Sequence, residues 1–493
     1  MAMTINLRKM VHLKSPDYMN PNPAGNTIAG AFVIADTNSF LPSNDGVFYM
    51  GGASVCWGYH ADEDAWGQVP NSGIAGTFGA GACGVLRAYG APGGVGSSTA
   101  TAGTTTTLTT ALTLVRGLEG HYVRVIGGTG IGYQGMITKN TMGANSVLTV
   151  SPANGVAFDA TTVFQMMTGS VWVFNPGAGA VGFSVYDRAT NAWTAKAVTG
   201  LPTTFASDGK LINTTGVASN DGAGFVTGTA TAGGATTITL EAGKVFVTNQ
   251  WTNSQIRIVS GTGAGQIRTI STNSAGASPV LTVSSAWATN PDATSTYVIE
   301  GNDDYIYLMG NLSVTLYRYS ISGNTWTTLA PGAARAAAVG AGVMATWVDN
   351  ISESSWTDGS YGTHYTGLIR QNGRYIYSLR GGGSSALDVY DIAANTWISG
   401  VAYGGQMEGF STGSCAVDTG KFIYIQKDAT GRIYRFDISR HVIEPFAVNP
   451  IPQGAAVIGD KMFIQTYKDG ATSLQYLYTL GNTRAELTRW LIV

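Results

Sequence analysis

Apolar and polar positions follow a short-period pattern along the chain, in runs that turn residues separate. Runs such as VFYMGG (47–52), YIYLMG (305–310) and YIYSLRGGG (375–383) are rich in aromatic and β-branched residues and end in glycine. Short runs of this composition, bounded by turn residues, are typical of β-strands. Small residues dominate other runs, as in AAAVGAGVMATW (336–347), which suits strands packed near a crowded axis. The pattern predicts an all-β protein.

A tyrosine is followed seven residues later by a tryptophan in four segments, and a fifth segment keeps the spacing with other apolar residues. The segments are YHADEDAW (59–66), YDRATNAW (186–193), YSISGNTW (319–326), YDIAANTW (390–397) and FDISRHVI (436–443). Asn191, Asn324 and Asn395 lie two residues before the tryptophan, where a residue that tolerates the left-handed conformation is useful. Each copy therefore predicts two strands joined by a tight turn, with the tryptophans packed between repeats.

The repeats are unevenly spaced, which indicates two insertions. Their reference positions, 66, 193, 326, 397 and 443, are separated by 127, 133, 71 and 46 residues. Because a repeat unit of this kind takes about 50 residues, the first two intervals each hold about 75 additional residues. The inserted segments resemble each other, as in VRVIGGTGIGYQGMITKN (123–140) and IRIVSGTGAGQIRTISTN (256–273). We expect two duplicated β-sandwich or β-barrel modules that project from corresponding loops of the first two repeat units, numbered blades 1 and 2 below.

The glycine-ended strand, the Tyr-Asp pair and the following tryptophan resemble the kelch repeat. The resemblance implies a β-propeller of about six blades, with the sixth in KMFIQTYKDGATSLQYLYTL (461–480) and the strand AGAFVIAD (29–36) joining the last blade to close the ring. The expected organisation is an N-terminal arm (1–28), the closing strand and blade 1 (29–95), module 1 (96–169), blade 2 (170–225), module 2 (226–301) and blades 3–6 (302–493).

Charge and cysteine content narrow the functional classes. Charged residues make up only 11% of the 493-residue chain, 67 residues are glycine, and the net charge is −2. Low charge favours a subunit that buries its surface against neighbours, although a merely glycine-rich monomer is the alternative, and the net charge gives no overall field for nucleic acid. Three widely separated cysteines predict neither a disulfide framework nor a zinc site. The N-terminus has no secretory h-region and no apolar run approaches about 18 residues, so no membrane insertion is expected.

Motifs of enzyme chemistry find no supporting context. Gly130, Gly132 and Gly135 spell G-x-G-x-x-G, but strand and turn patterns follow them where a nucleotide-binding fold needs a helix, so we predict a tight hairpin. The five histidines are scattered, and the sparse carboxylates fall mostly at turn positions. We therefore predict no catalytic residue, no cofactor and no metal ligand, and a protein that is not an enzyme.

Two segments carry candidate contact residues. The N-terminal segment is locally basic, with Arg8, Lys9 and Lys14. The segment 345–367 reads as a long polar and aromatic loop, a reasonable site for a protein or a sugar on a rigid scaffold. A loop folded back over the propeller explains this composition equally well. Its candidate residues are Trp347, Trp356, Tyr361, His364 and Tyr365.

The inserted modules also resemble β modules of tailed-bacteriophage virion proteins, on patterns such as QIRIVSGTGAGQIRTI (255–270) and NPDATSTY (290–297). The whole chain is similar in architecture to propeller-containing tail nozzle proteins. This resemblance implies a virion protein that is assembled in the host cytoplasm. It further implies that the chain is a subunit of a homo-oligomeric ring. The implied partners are like subunits, an adaptor protein, fibres and exiting DNA. A carbohydrate- or receptor-binding propeller is the alternative function, and a kelch-type enzyme comes third.

Overall fold

The structure of the chain is a computed structural model that describes four strands between residues 17 and 60, most of 65–348 and 375–448, and three strands between 462 and 492. Gaps within these ranges include 77–80, 88–96, 177–180, 215–225 and 301–304. Every extended element described is a β-strand. No helix among the described residues is long and apolar enough to cross a membrane.

Six four-stranded antiparallel sheets form the main body of the molecule. We number them 1 to 6 along the chain and call their strands first to fourth, from the innermost outward. Sheets 1 to 3 comprise Phe32–Ala35, Val47–Gly51, Val55–His60 and Ala65–Val69; Cys83–Arg87, Ser170–Asn175, Gly182–Asp187 and Ala192–Ala195; and Lys210–Asn213, Tyr305–Met309, Leu316–Ser320 and Thr325–Thr328.

Sheets 4 to 6 have the same antiparallel order. Sheet 6 takes its fourth strand from the N-terminal part of the chain. The strands are Met344–Val348, Tyr375–Gly381, Ser384–Asp391 and Thr396–Ile398; Cys415–Asp418, Phe422–Lys427, Arg432–Asp437 and Val442–Val448; and Met462–Asp469, Thr472–Leu480, Leu487–Ile492 and Asp17–Met19.

The first strands of the six sheets contact one another in cyclic order, from sheet 1 to sheet 6 and back to sheet 1. This arrangement confirms the prediction of a β-propeller. The prediction that 29–36 closes the ring on the last blade was wrong. Phe32–Ala35 pairs with Val47–Gly51 of sheet 1, whereas Asp17–Met19, within the expected arm, pairs with Leu487–Ile492 of sheet 6.

Two closed six-stranded barrels are inserted into the propeller. Their strands pair in the same circular order, which confirms that the inserted modules are duplicates of one β fold. Barrel 1 comprises Ser97–Gly103, Thr107–Thr110, Tyr122–Gly127, Gln134–Asn140, Val147–Ser151 and Val163–Met166, and barrel 2 comprises Val226–Gly233, Thr237–Leu240, Gln255–Ser260, Ile267–Asn273, Val280–Val283 and Thr296–Glu300.

The seven-residue Tyr–Trp spacing places the two residues opposite each other on the third and fourth strands of a sheet. The pairs are Tyr59 with Trp66, Tyr186 with Trp193, Tyr319 with Trp326 and Tyr390 with Trp397. Trp193, Trp326 and Trp397 are buried in clusters that combine residues of neighbouring sheets. Large apolar surfaces between sheets are thus removed from water, which holds the ring together.

Candidate interaction face

The order of the strands defines two faces of the propeller. In sheets 1 to 5, the connection between the first and second strands and that between the third and fourth lie at one end, and in sheet 6 the connection between the first and second strands lies at this end too. The second-to-third connections and the links between sheets lie at the other end. We call the first end the insertion face, because both barrels are connected there, and the second end the opposite face.

The connections on the insertion face differ greatly in length around the ring. Barrel 1 lies between the first two strands of sheet 2, and barrel 2 lies at the same place in sheet 3. The aromatic segment 349–374 joins the corresponding strands of sheet 4, whereas residues 419–421 and 470–471 suffice in sheets 5 and 6. The expected attachment to blades 1 and 2 was wrong, because Cys83–Arg87 and Lys210–Asn213 before the inserts begin new sheets. Three consecutive sheets therefore carry their long segments on one face.

Tight turns between the third and fourth strands give this face a rigid base. Asn191, Asn324 and Asn395 have φ angles of 53°, 47° and 48°. The hydroxyls of Tyr319 and Tyr390 donate hydrogen bonds to the asparagine Oδ1 atoms five residues later, both at 2.6 Å. The predicted left-handed turn residues are thus confirmed, and the repeat tyrosine holds each turn through its hydroxyl.

A buried arginine joins the places where the chain leaves sheets 2 and 3 for the barrels. Arg87 Nη1 donates to Asn213 Oδ1 at 2.8 Å and to the carbonyl of Tyr305 at 2.9 Å. Asn213 Nδ2 in turn donates to the carbonyl of Leu86 at 2.7 Å. Arg87 precedes barrel 1, Asn213 precedes barrel 2 and Tyr305 follows it. One hydrogen-bonded cluster therefore fixes both attachment sites relative to each other.

Corresponding turns in the two barrels use the same carboxylate chemistry. Asp159 Oδ1 accepts from the backbone N and the hydroxyl of Thr161 at 2.7 and 2.6 Å, and Asp159 Oδ2 accepts from Thr129 at 2.8 Å. In barrel 2, Asp292 accepts from the backbone N and the hydroxyl of Thr294 at 2.8 and 2.6 Å. These hydrogen bonds lower the pKa of both carboxyls, those from the following threonine most. Both aspartates are turn residues, as the sequence predicts for most carboxylates here.

The surfaces of the barrels differ although their folds match. Eight bulky apolar side chains are exposed among the described residues, and five of them lie on barrel 1, namely Val115, Ile131, Met136, Met142 and Val156. The described part of barrel 2 exposes none. Aligning the two inserts residue by residue could have revealed this difference from sequence.

Matched hydrogen bonds identify the equivalent positions. Ile131 N donates to Gly128 O as Ala264 N does to Gly261 O, and Met136 and Thr269 are each third in their strands. Met142 and Ala275 each precede a glycine that bridges to the first half of the barrel. The same offset aligns Val156 with Thr289. In barrel 1, Val156 lies between Asn154 and the turn aspartate, and in barrel 2, Thr289 lies between the equivalent Trp287 and the turn aspartate. Barrel 2 thus carries alanine or threonine where barrel 1 exposes isoleucine, methionine or valine.

The sequence-based contact residues fall in different places. Trp347 lies in the first strand of sheet 4, with only 9% of its side chain exposed, in a cluster shared with sheet 3. The expectation that it belongs to an exposed loop fails because its strand begins at Met344 and its ring fills the gap between two sheets. The other candidates, Arg8, Lys9, Lys14, Trp356, Tyr361, His364 and Tyr365, lie outside the described residues.

The glycine motif forms the hairpin that its flanking strands predict. Residues 128–133 connect Tyr122–Gly127 to Gln134–Asn140, which pair antiparallel, and Gly130 has a φ of 79°. Its hydrogen-bonded counterpart in barrel 2 is the turn at 261–266. No strand-to-helix turn of the nucleotide-binding kind is formed there.

Metal and thiol chemistry find little support in the described part of the chain. It contains no cluster of three or more histidine, cysteine, aspartate or glutamate side chains placed to hold a metal ion. Cys56, Cys83 and Cys415 form no disulfide, and each is buried in a different sheet. Burial raises the pKa of Cys56 to about 12, so this thiol stays protonated and unreactive at neutral pH.

One charged cluster was not anticipated from the sequence. Asp388, which is fully buried, accepts from Arg335 Nε at 2.6 Å, from Arg380 Nε and Nη2 at 2.8 and 2.7 Å, and from the backbone N of Gly400 at 2.9 Å. The Arg335 guanidinium also lies 4.7 Å from the ring centroid of Trp397. The cluster joins the link between sheets 3 and 4 to the strands of sheet 4, so it holds this link in place.

Comparisons with known proteins give distant likenesses only. No protein-family model matches the chain, and no curated protein matches it. Among solved structures, the major allergen Mala s 1 of Malassezia sympodialis is similar at 11% identity and a TM-score of 0.25, covering 65% of this chain and 89% of that chain. Phage phi92 endosialidase has 10% identity and a TM-score of 0.23, covering 66% and 65%. An auxiliary nutrient binding protein from Bacteroides ovatus has 12% identity and a TM-score of 0.23, covering 78% and 82%. Scores this low carry no argument about function.

Proposed function

We propose that this chain is a structural protein of a tailed-bacteriophage virion, a tail component of the nozzle or tail-tube kind that forms a ring with like subunits. The phage context is supported by the resemblance of the inserted modules and of the propeller architecture. In this proposal the chain holds other proteins together and catalyses no reaction.

The observation that carries the proposal is the unequal surface of the two barrels. Both are attached to the same face, and only barrel 1 presents bulky apolar side chains at matched positions. Since the two share one fold, folding does not require these side chains to be large. In a closed ring each subunit uses two different surfaces, one for each neighbour. Barrel 1 provides one of them, and its side chains are buried on assembly.

The remaining partners follow from the same proposal. The basic N-terminal segment with Arg8, Lys9 and Lys14 fastens the ring to an adaptor protein, and fibres bind to the insertion face. Exiting DNA passes along the ring axis. The protein is then located in the virion after assembly in the host cytoplasm.

Ring formation by the purified full chain tests the proposal. We expect closed rings by negative-stain imaging and a corresponding multiple of the 51.3 kDa subunit by mass photometry. The variant Ile131→Ala, Met136→Thr, Met142→Ala, Val156→Thr gives barrel 1 the residues of barrel 2 at four positions. It should fold normally, because barrel 2 accommodates these residues, and it should lose the rings because the buried contact is gone.

Leu312 and Val314 offer a matched control. They are also exposed and apolar, but they lie on the opposite face in sheet 3. Replacing them by alanine and threonine should leave the rings intact. A natural chain that stays monomeric at all concentrations would argue against intrinsic assembly. Rings that survive the fourfold change would remove barrel 1 from the interface.

The second candidate function is a carbohydrate- or receptor-binding propeller. The observation that favours it is the place of the aromatic segment 349–374 in the chain, between Met344–Val348 and Tyr375–Gly381, the same two strands of a sheet between which the barrels are inserted in sheets 2 and 3. This segment contains Trp356, Tyr361, His364 and Tyr365. Loops on a rigid scaffold are the usual carriers of recognition. Saturable binding of a host-surface glycan by a chain that forms no ring would favour this function over the first.

A further inference from the structure

Outside barrel 1, the exposed bulky apolar side chains that the structure describes all lie on the opposite face of the propeller. They are Leu312, Val314 and Val448, which are 72%, 44% and 65% exposed. Leu312 and Val314 belong to the connection between the second and third strands of sheet 3, and Val448 ends the fourth strand of sheet 5. The order of the strands places both positions at this face. The apolar exposure of the propeller is thus confined to one face and to two sheets.

Leu312 and Val314 form a fixed apolar tip on sheet 3. The φ angle of Leu312 is 56°, in the left-handed region that leucine rarely adopts. Leu312 N donates to the carbonyl of Val339 at 2.8 Å, and Val339 N donates to the carbonyl of Ser313 at 3.2 Å, so the link to sheet 4 holds the turn in place. Glycine or asparagine would suit this backbone better. The leucine therefore points to a role for its exposed side chain rather than for the turn.

A cleft lies in the half of sheet 5 that ends at the same face. The link from sheet 4 first pairs with the fourth strand, since Gly404 N donates to the carbonyl of His441 at 2.7 Å and Ile443 N donates to that of Gly404 at 2.9 Å. The link turns away at Gly405, whose φ is 89°. Beyond Pro445, which has no N–H, the strand register shifts. The link and the end of the strand therefore enclose an open cleft of about 810 Å³.

The cleft suits an apolar group, because its charged residues already have partners in the chain. Glu408 pairs with Lys427 at 3.3 Å and with Arg432. The side chain of Tyr434 hydrogen-bonds with both Glu408 and Arg432. The apolar part of the lining comprises Tyr403, Met407, Ile433, Pro445, Ala447 and Val448. An apolar side chain that enters the cleft is therefore removed from water without breaking a polar contact.

The tip and the cleft lie on either side of sheet 4, since sheets 3 and 5 are its neighbours in the propeller. Two copies can face each other about a two-fold axis that runs between their faces over sheet 4. Sheet 3 of each copy then lies opposite sheet 5 of the other. The turn of sheet 4 at this face consists of Gly382 and Gly383, which are exposed and carry no side chain to keep the copies apart. This arrangement places each tip opposite a cleft.

We propose that the opposite face is a self-association surface, where Leu312 and Val314 of each copy enter the sheet 5 cleft of a second copy. The contact is isologous, so the two-fold axis uses it twice. The residues that line the cleft, with the tip and the glycine turn, approach the about 20–30 residues that each partner contributes to a stable interface. The contact does not depend on ring assembly, which uses barrel 1. Rings that form as well would join back to back.

Cross-linking of the full chain tests this contact. The natural cysteines are buried, so the variant Leu312→Cys, Val448→Cys adds thiols at two exposed positions. We expect a short bismaleimide to convert this variant to a covalent dimer on a denaturing gel, because each new thiol lies beside the other kind in the partner copy. Either single variant should stay monomeric. The fourfold barrel 1 variant with the same two cysteines should still give the dimer, whether or not rings form.

Exchange of charges locates the contact by sedimentation equilibrium in the fourfold barrel 1 background. Val448→Lys should weaken two-copy association by at least about tenfold, because it places an ammonium against the apolar tip. Adding Leu312→Glu should restore association, since each glutamate then faces a lysine of the other copy. Thr194→Lys, at an exposed position of sheet 2, is the control and should have no effect. No covalent dimer from the double-cysteine variant, or association unchanged by Val448→Lys, would overturn the proposal.

Discussion

At the scale of single residues, the tight turns between the third and fourth strands of sheets 2 to 5 each hold one residue in the left-handed conformation. The three repeat asparagines adopt the left-handed conformation that their sequence context predicts. In the fifth copy the same place is taken by His441, with a φ of 49°. Its Nε2 lies 3.0 Å from the hydroxyl of Tyr377 in sheet 4. This contact joins residues 64 positions apart, so no local pattern in the sequence indicates it.

The buried cluster around Asp388 was missed for the same reason. Arg335 belongs to a link between sheets, Arg380 to a second strand and Asp388 to a third strand, and only the fold brings them together. Burial raises the pKa of Asp388, but hydrogen bonds from Arg380 and the charge of Arg335 outweigh it, and the net pKa is lowered. A carboxylate that stays ionised in the core stabilises the fold only while both guanidiniums are in place.

The variant Asp388→Asn tests the contribution of this cluster to stability. It leaves Arg335 buried without its charge partner, and we expect the free energy of unfolding to fall by about 3–5 kcal/mol at neutral pH. Denaturant titration measures the loss. Glu444→Gln, which removes an ion pair with Arg435 at a side chain that is 43% exposed, should cost less than about 1 kcal/mol. Equal losses in the two variants would show that the buried cluster stabilises the fold no more than the exposed ion pair does.

The same cluster predicts how stability responds to acid. Because the folded-state pKa of Asp388 lies below its ordinary value, its contribution is fully present above about pH 4–5 and is lost as pH falls through the lowered pKa. The natural chain should therefore lose more stability than Asp388→Asn between pH 5 and strongly acidic conditions. Parallel stability curves for the two proteins over this range would contradict the assignment.

At the scale of elements, the hairpins and the duplicated inserts could be predicted because each has a local signature. A seven-residue spacing across a tight turn sets Tyr and Trp opposite each other, and two similar segments imply one fold used twice. The repeat motif marks only the third and fourth strands of each sheet. It therefore predicts that the inserts are attached to blades 1 and 2, whose motifs precede them. Inner strands such as Cys83–Arg87 carry no such motif, so the sheet to which they belong depends on pairing across the insert.

Barrel 2 should fold as an isolated fragment of residues 226–300. Its ends are adjacent because Val226 pairs with Ile299, and its buried cluster is formed by its own residues alone. The core includes two tryptophans and several isoleucines, which suffices for a domain of about 75 residues. We expect a cooperative thermal transition by circular dichroism and dispersed amide resonances.

Barrel 1 provides the comparison for this experiment. Its buried cluster includes Ala189 of sheet 2, and Val115 N donates to the carbonyl of the same residue at 3.4 Å. The fragment 97–166 loses these contacts and should therefore be less stable than 226–300. A barrel 2 fragment without a cooperative transition would mean that the propeller is needed to fold it.

At the scale of the whole molecule, the strand that closes the ring could be predicted only in part. The expectation that an N-terminal strand completes the last sheet was correct in principle, and the chosen strand was wrong. The segment 29–36 has the stronger apolar pattern, but it becomes the first strand of sheet 1. The closing strand is the three-residue Asp17–Met19, which has little sequence signal of its own. Its place depends on the edge that Leu487–Ile492 leaves unpaired, a property of the completed ring.

Truncation of the N-terminus tests this closure. Deleting residues 1–20 removes Asp17–Met19 and exposes the edge of Leu487–Ile492, whereas deleting residues 1–16 keeps the strand and serves as the control. Because the lost pairing involves only a few backbone hydrogen bonds, the longer deletion should lower the free energy of unfolding by about 2 kcal/mol. Amides of 487–492 should then exchange hydrogen faster, while those of sheets 2 to 4 keep their protection. If the shorter deletion is as harmful as the longer one, residues before Asp17 hold the ring closed; if neither has an effect, the contacts among the inner strands close it alone.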